Sequence, residues 1–176
     1  MGYLDETGLS TLVDCIKSYD FGTTSTADNG WYLYQQLLMG TIESVEDSTI
    51  TSVGYGAFFG CNSLESVYLG ACTSIGEYAF YACMSLKTVS LPVCTSIENG
   101  ALEACSSLTS LILSGSTVAT LNGGFEDTPI EDGNGYIYVP SNLISSYQSA
   151  SNWSTYADQI VAIGDNVDVI IYLSDL

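Results

Sequence analysis

Thr73 to Leu91 reads TSIGEYAFYACMSLKTVSL, and the same phrase returns on both sides of it at one fixed interval. Cys61, Cys83 and Cys105 are evenly spaced, twenty-two positions apart, and so are Leu64, Leu86 and Leu108, then Val67, Val89 and Leu111, then Leu69, Leu91 and Leu113. Cys72 and Cys94 share the interval. A period of this length marks stacked supersecondary units, none of which can bury its apolar face alone. Within one unit the order Leu64, Val67, Leu69, Cys72, Ile75 places a short strand before a turn. Alternation along that strand sends Val67 and Leu69 inward and Ser66 and Tyr68 outward.

Moving outward from the clearest unit, the spacing gives a fainter copy at Ile42, Val45, Asp47, Ile50 and Val53, with Asp47 in an otherwise apolar column. On the other side Leu111 and Leu113 correspond to Ile137 and Val139, an interval stretched to twenty-six positions by a Gly-rich, acidic stretch from Asn122 to Gly135 that is expected to bulge as a loop. Five rungs follow, forming a parallel sheet roughly 20 Å across at the usual strand spacing. Between strands, Ala57, Ala79 and Ala101 leave room for the backbone to turn, Phe58, Phe80 and Leu102 fill the core, and Cys61, Cys83 and Cys105 close segments expected to be helical.

The phrase TSIG-x-x-AF-x-x-C-x-SL-x-x-V-x-L, nearly intact in residues 73–91, resembles the BspA-like leucine-rich repeats of bacterial surface proteins and of phage proteins from gut bacteria. The resemblance spans about residues 40–163 and includes a closing segment from Tyr138-Val139-Pro140 through Trp153 to Ile163. The third unit departs from it, with Leu102 for Phe and Glu98 for Gly. It implies an α/β repeat fold: a short right-handed leucine-rich-repeat solenoid with a parallel β-sheet and capped ends.

The organisation expected is residues 1–20 as an amphipathic helix and attachment segment, 21–39 as linker and amino-terminal cap, 40–140 as solenoid, and 141–176 as carboxy-terminal cap with a terminal strand. Leu9, Leu12, Val13 and Ile16 fall at helical spacing, with Asp5 or Thr7 as cap. This stretch, Tyr3-Leu4-Asp5-x-x-Gly8-Leu9-x-x-Leu12-x-x-x-Ile16-Lys17, resembles the amino-terminal segment of tail-fibre and other virion proteins of phages infecting gut bacteria. A cap over the first rung is the plainer use of the same helix. Trp31 to Met39 reads equally as helix or edge strand, with Trp31, Leu33, Leu37 and Leu38 packing on the first rung. Leu143, Ile144 and Tyr147 suit a short helix after Pro140, Trp153 and Tyr156 close the far end, and Val167 to Leu173 reads as a strand.

Composition excludes much chemistry. The chain has no His, two basic residues, both Lys, and twenty acidic ones, for a formal charge of -18, so nucleic acid would be repelled. Without His the commonest general base is missing, and Ser-His-Asp or Cys-His nucleophiles are ruled out. Glu126, Asp127, Glu131 and Asp132 are the carboxylates that could serve glycoside hydrolysis, and these, or Asp165, Asn166 and Asp168, could face calcium. Neither stretch has the spacing of a calcium loop, so no metal and no cofactor are expected. The cysteines are expected as buried thiol ladders, with Cys15 beside the first helix's apolar stripe. No apolar run reaches membrane-spanning length, and the amino terminus lacks the basic start and apolar stretch of a secretory signal.

What remains is a surface. Only four of the acidic residues lie in residues 53–118, so the middle of the solenoid is nearly neutral. Its outward strand positions carry Ser66, Tyr68, Thr88, Ser90, Ser110, Ile112, Tyr136 and Tyr138, a Tyr, Ser and Thr face suited to protein or sugar. Tyr55, Phe59, Tyr78 and Tyr81 form a second aromatic patch on the opposite side. The expected function is non-enzymatic adhesion, by a virion-associated protein at a virion or extracellular surface that recognises a protein or glycan on a cell. A bacterial cell-surface adhesin and a self-assembling structural subunit, bound to other virion subunits or to copies of itself, are the alternatives.

Overall fold

A computed structural model of the chain describes Gly40 and residues 42–164. The strands come in two series. The longer ones, β1 (Ser44–Asp47), β3 (Ser66–Leu69), β5 (Thr88–Ser90), β7 (Ser110–Ile112), β9 (Tyr136–Val139) and β10 (Ile160–Ala162), form one sheet in the order β1-β3-β5-β7-β9-β10. All its pairings are parallel, as stacking of equivalent segments requires. Val45, Val67, Val89, Leu111 and Ile137 stand in register, so the columns aligned from the sequence, including the stretched last interval, are the true repeat.

Two-residue strands β2 (Ser52–Val53), β4 (Ser74–Ile75), β6 (Ser96–Ile97) and β8 (Thr120–Leu121) form a second parallel sheet, which the sequence pattern does not separate from the first. The segments expected to be helical are hydrogen-bonded turns. Main-chain bonds between rungs explain why. In the first two turns alternate amides bond forward to the next rung, as in Gly56 to Glu77 O at 3.0 Å, Phe58 to Ala79 O at 2.7 Å and Gly60 to Tyr81 O at 2.8 Å. The amides between them close tight local turns, such as Phe59 to Gly56 O at 3.0 Å and Cys61 to Phe58 O at 3.1 Å. Neighbouring rungs thus satisfy the main chain that a helix would otherwise satisfy internally. This geometry needs left-handed backbone twice per turn, at Gly56, Tyr78 and Gly100 and at Gly60, Ala82 and Ala104.

The main core runs unbroken from rung to rung as stacked columns. Phe58 and Phe80 are fully buried and stack with centroids 4.9 Å apart, 6° from parallel. Leu102 continues the column, and Phe125, drawn from the stretch expected to bulge, completes it. Ala104 N bonds Glu126 O at 2.9 Å, repeating the rung-to-rung pattern, so the loop hides a fourth turn. Beyond it Ser141–Leu143 forms a 3-10 turn and Ile144–Ser149 a short α-helix. Tyr147, Trp153 and Tyr156 are buried and close this end. Trp153 Nε1 donates to Ala119 O at 2.7 Å, Tyr147 OH accepts from Ala119 N at 3.0 Å, and Tyr156 OH accepts from Phe125 N at 3.0 Å. The last rung's exposed main chain is therefore capped by aromatic side chains rather than by another rung.

The spacing predicts five rungs; β10 adds a sixth strand, parallel to β9 with Val161 beside Tyr138. The attachment residues Leu9, Leu12, Val13 and Ile16, the 21–39 segment and the 167–173 strand lie outside the described residues. Among the described residues no helix is long and apolar enough to cross a membrane.

Candidate functional site

The register of the long sheet sorts its outward side chains into two rows. One runs Ser44, Ser66, Thr88, Ser110, Tyr136; the other runs Glu46, Tyr68, Ser90, Ile112, Tyr138, Val161. The first row is accessible throughout: Ser44 is exposed, Ser66, Thr88 and Ser110 are half-buried, and Tyr136 keeps 42% of its surface. Tyr68, in the second row, is also half-buried.

Three expected members of the binding face are corrected. Ser90, Ile112 and Tyr138 are buried, though they point outward. Ile112 and Tyr138 pack with Val161 and Ile163 into a small satellite cluster on the outer side of the sheet. The cause is β10, which extends the row and lets three large apolar side chains shelter one another. Ser90 retains 6% of its surface because it is the small residue between Tyr68 and Ile112. Its Oγ is fully buried and has no hydrogen-bond partner among the described residues. The usable face is therefore Ser66, Tyr68, Thr88, Ser110 and Tyr136, bordered by Ser44 and Glu46.

The second sheet adds hydroxyls that the strand alternation does not reveal. Thr51, Thr73 and Thr95 stack, with Thr73 Oγ1 donating to Thr51 O at 3.1 Å and Thr95 Oγ1 to Thr73 O at 3.0 Å. Beside them run Ser52, Ser74, Ser96 and Thr120. The recurring Thr-Ser-Val or Thr-Ser-Ile, with only its third residue buried, was the available signal.

On the turn side, Tyr55, Phe59, Tyr78 and Tyr81 do come together. Tyr55 meets Tyr78 edge-on at 5.8 Å, Tyr78 meets Tyr81 edge-on at 5.7 Å, and Phe59 stacks on Tyr81 at 5.1 Å. Tyr55 and Phe59 remain 48% and 52% exposed.

The remaining candidates have structural duties. Cys61, Cys72, Cys83, Cys94 and Cys105 are buried thiols. Cys83 Sγ donates to Phe58 O at 3.0 Å, Cys105 Sγ to Phe80 O at 3.1 Å, and Cys94 Sγ to Ser96 O at 3.2 Å. Burial pushes Cys94 up to about 11, which keeps it a thiol. In the acidic loop, Glu131 Oε2 accepts from Asp127 N at 2.9 Å, and buried Thr128 Oγ1 donates to Phe125 O at 2.6 Å, so these groups shape the turn. Among the described residues no three Cys, Asp or Glu side chains converge as a metal site. Asp165, Asn166 and Asp168 lie outside the described residues.

The BspA type leucine rich repeat region family matches residues 33–156, in six copies. No curated protein matches the chain.

Proposed function

The chain belongs to the BspA-type leucine-rich-repeat family, and from that premise we propose that it is a non-enzymatic adhesion module that holds a partner on its long-sheet face. Leucine-rich-repeat domains generally mediate protein interactions, and the observation that carries the reading here is the accessible row Ser66, Thr88, Ser110 and Tyr136 with Tyr68 beside it. Tyr offers a rigid ring with one hydroxyl, and Ser and Thr offer hydrogen bonds that re-pair easily, a combination fitted to recognition without buried charge.

The finer reading is display on a virion or an extracellular surface, with residues 1–20 as the attachment segment and a cell-surface protein or glycan as partner. The resemblance of residues 3–17 to virion proteins supports the virion setting over a bacterial adhesin. Binding of the labelled chain to intact cells of a panel of gut bacteria and to mucin tests both levels. Strain-restricted binding that drops at least about fivefold in Tyr68→Ser/Tyr136→Ser supports recognition through this face. Binding to no surface, together with concentration-dependent self-association in light scattering, would move the function to a self-assembling subunit.

A further inference from the structure

Tyr78 occupies a position that the rungs on either side give to glycine. Its φ is 55°, against 58° at Gly56 and 65° at Gly100. A bulky side chain in left-handed backbone is strained. The ring it carries lies directly over Gly100: a Cβ added there would meet Tyr78 Cδ1 and Cε1 at 2.5 Å. The same spot lies 3.4 Å from Glu103 Oε2, so the ring and that carboxylate meet over buried Gly100. Glu103 in turn stands where the previous rungs carry Phe59 and Tyr81, and the aromatic ladder ends on it.

The surroundings of this platform are negative. Burial and the charges of Glu126 and Asp127 hold the Glu103 carboxyl above its ordinary value, so negative charge gathers at this corner, with no ion pair to it among the described residues. Glu77, in the rung of Tyr78, is exposed. Lys87 pairs with Glu65 at 2.9 Å, beside the long sheet and in a different part of the rung. Faces of aromatic rings attract cations, guanidinium groups above all, and adjacent carboxylates add charge-assisted hydrogen bonds.

We propose that Tyr55, Phe59, Tyr78 and Tyr81, with Glu103 at their edge, form a second binding site that takes an arginine-bearing segment of a partner protein. Guanidinium groups stack on the exposed rings while Glu103 accepts their N–H bonds. The site is separate from the strand face and does not depend on it.

The test uses the full chain and a fluorescein-labelled peptide of alternating Gly and Arg, followed by anisotropy at about 0.15 M salt, where distant charges are screened. The same peptide with citrulline for Arg controls for shape, and mucin glycans compete as the sugar alternative. The Arg peptide is expected to bind and the citrulline peptide not. Phe59→Ser/Tyr81→Ser, which leaves every charge in place, should weaken binding about tenfold. Glu103→Gln should weaken it about threefold, and Tyr136→Ser should leave it unchanged. No Arg-peptide binding, equal citrulline binding, or binding indifferent to Phe59→Ser/Tyr81→Ser overturns the proposal. So does aromatic-dependent binding of the glycans alone.

Discussion

Ser90→Ala should stabilise the protein. Ser90 is the small residue of the row Tyr68, Ser90, Ile112, and its Oγ is buried with no partner among the described residues. A buried hydroxyl without a hydrogen bond costs about 1–3 kcal/mol relative to one left in water. Alanine removes that oxygen and keeps the Cβ, so it opens no more than a small void. Strand preferences span only about 1 kcal/mol in all, and exchanging one small residue for another uses a fraction of that. The net expectation is a gain of about 1 kcal/mol, read as a higher urea midpoint with an unchanged slope. Ser66→Ala in the accessible row is the control, because that residue is only half-buried; it should stay within about 0.5 kcal/mol of the parent. If Ser90→Ala instead destabilised by about 1 kcal/mol or more, the hydroxyl would have a partner and the assignment of Ser90 as a closed gap in the face would fail. Binding assays add a second reading: Ser90→Ala should leave any strand-face ligand unaffected.

Phe80 stacks on Phe58 in the central rung, so Phe80→Ala should cost about 3–5 kcal/mol by thermal or urea unfolding. Phe80→Leu should cost under about 1.5 kcal/mol, since Leu102 fills the same place one rung on. A Cβ at Gly76 would lie 2.9 Å from Val53 O and 2.9 Å from Gly54 C, both backbone atoms that would have to shift, so Gly76→Ala should destabilise by about 1–3 kcal/mol, although Glu98 at the equivalent place shows that a rung can take a side chain there. Gly60→Ala meets open space and should cost at most about 1 kcal/mol despite its φ of 70°, as Ala82 and Ala104 already occupy the equivalent place. The folded state holds the Glu103 proton more tightly than the unfolded chain does, so its share of stability is lost as pH rises above about 4.5. Glu103→Gln should therefore flatten part of the fall in unfolding midpoint above that pH, and an unchanged pH profile would refute the assignment.

The repeat columns are legible in the sequence because buried positions recur: Leu64, Leu86 and Leu108 must each fill the same space in the same way. The turns read as helical because Ala-Phe-x-x-Cys has an apolar spacing that helices share, and the bonds that exclude a helix run between rungs, which no single unit contains. Phe125 escapes for a related reason. It belongs to the core column, but the added residues put it out of step with the period. The face is half legible: alternation correctly points Ser90, Ile112 and Tyr138 away from the core, but pointing outward is not being exposed. That distinction depends on Val161 and Ile163, which arrive from a segment more than a full rung farther along the chain.

Repetition and function pull apart along this chain. Where every rung agrees, as at Ala57, Ala79 and Ala101, the residue is fixed by the neighbour above and below it, and its identity carries no information about a partner. Where the rungs disagree, the shared stacking geometry alone does not fix the residue. Glu46, Tyr68, Ser90, Ile112 and Tyr138 share one column and no common chemistry, and Phe59, Tyr81 and Glu103 share another. The first column seals itself at the β10 end and leaves Tyr68 open nearer the other, beside a hydroxyl row that stays accessible along its length. The second begins with a ring and ends with a carboxylate, and Tyr78 is held in strained backbone where Gly56 and Gly100 show that glycine suffices. Tyr78→Gly relieves that strain and should stabilise the fold by up to about 1 kcal/mol once the lost ring contacts and added chain entropy are set against it. A fall of more than about 2 kcal/mol would make the ring structural and remove the strain as a reason to seek a ligand there.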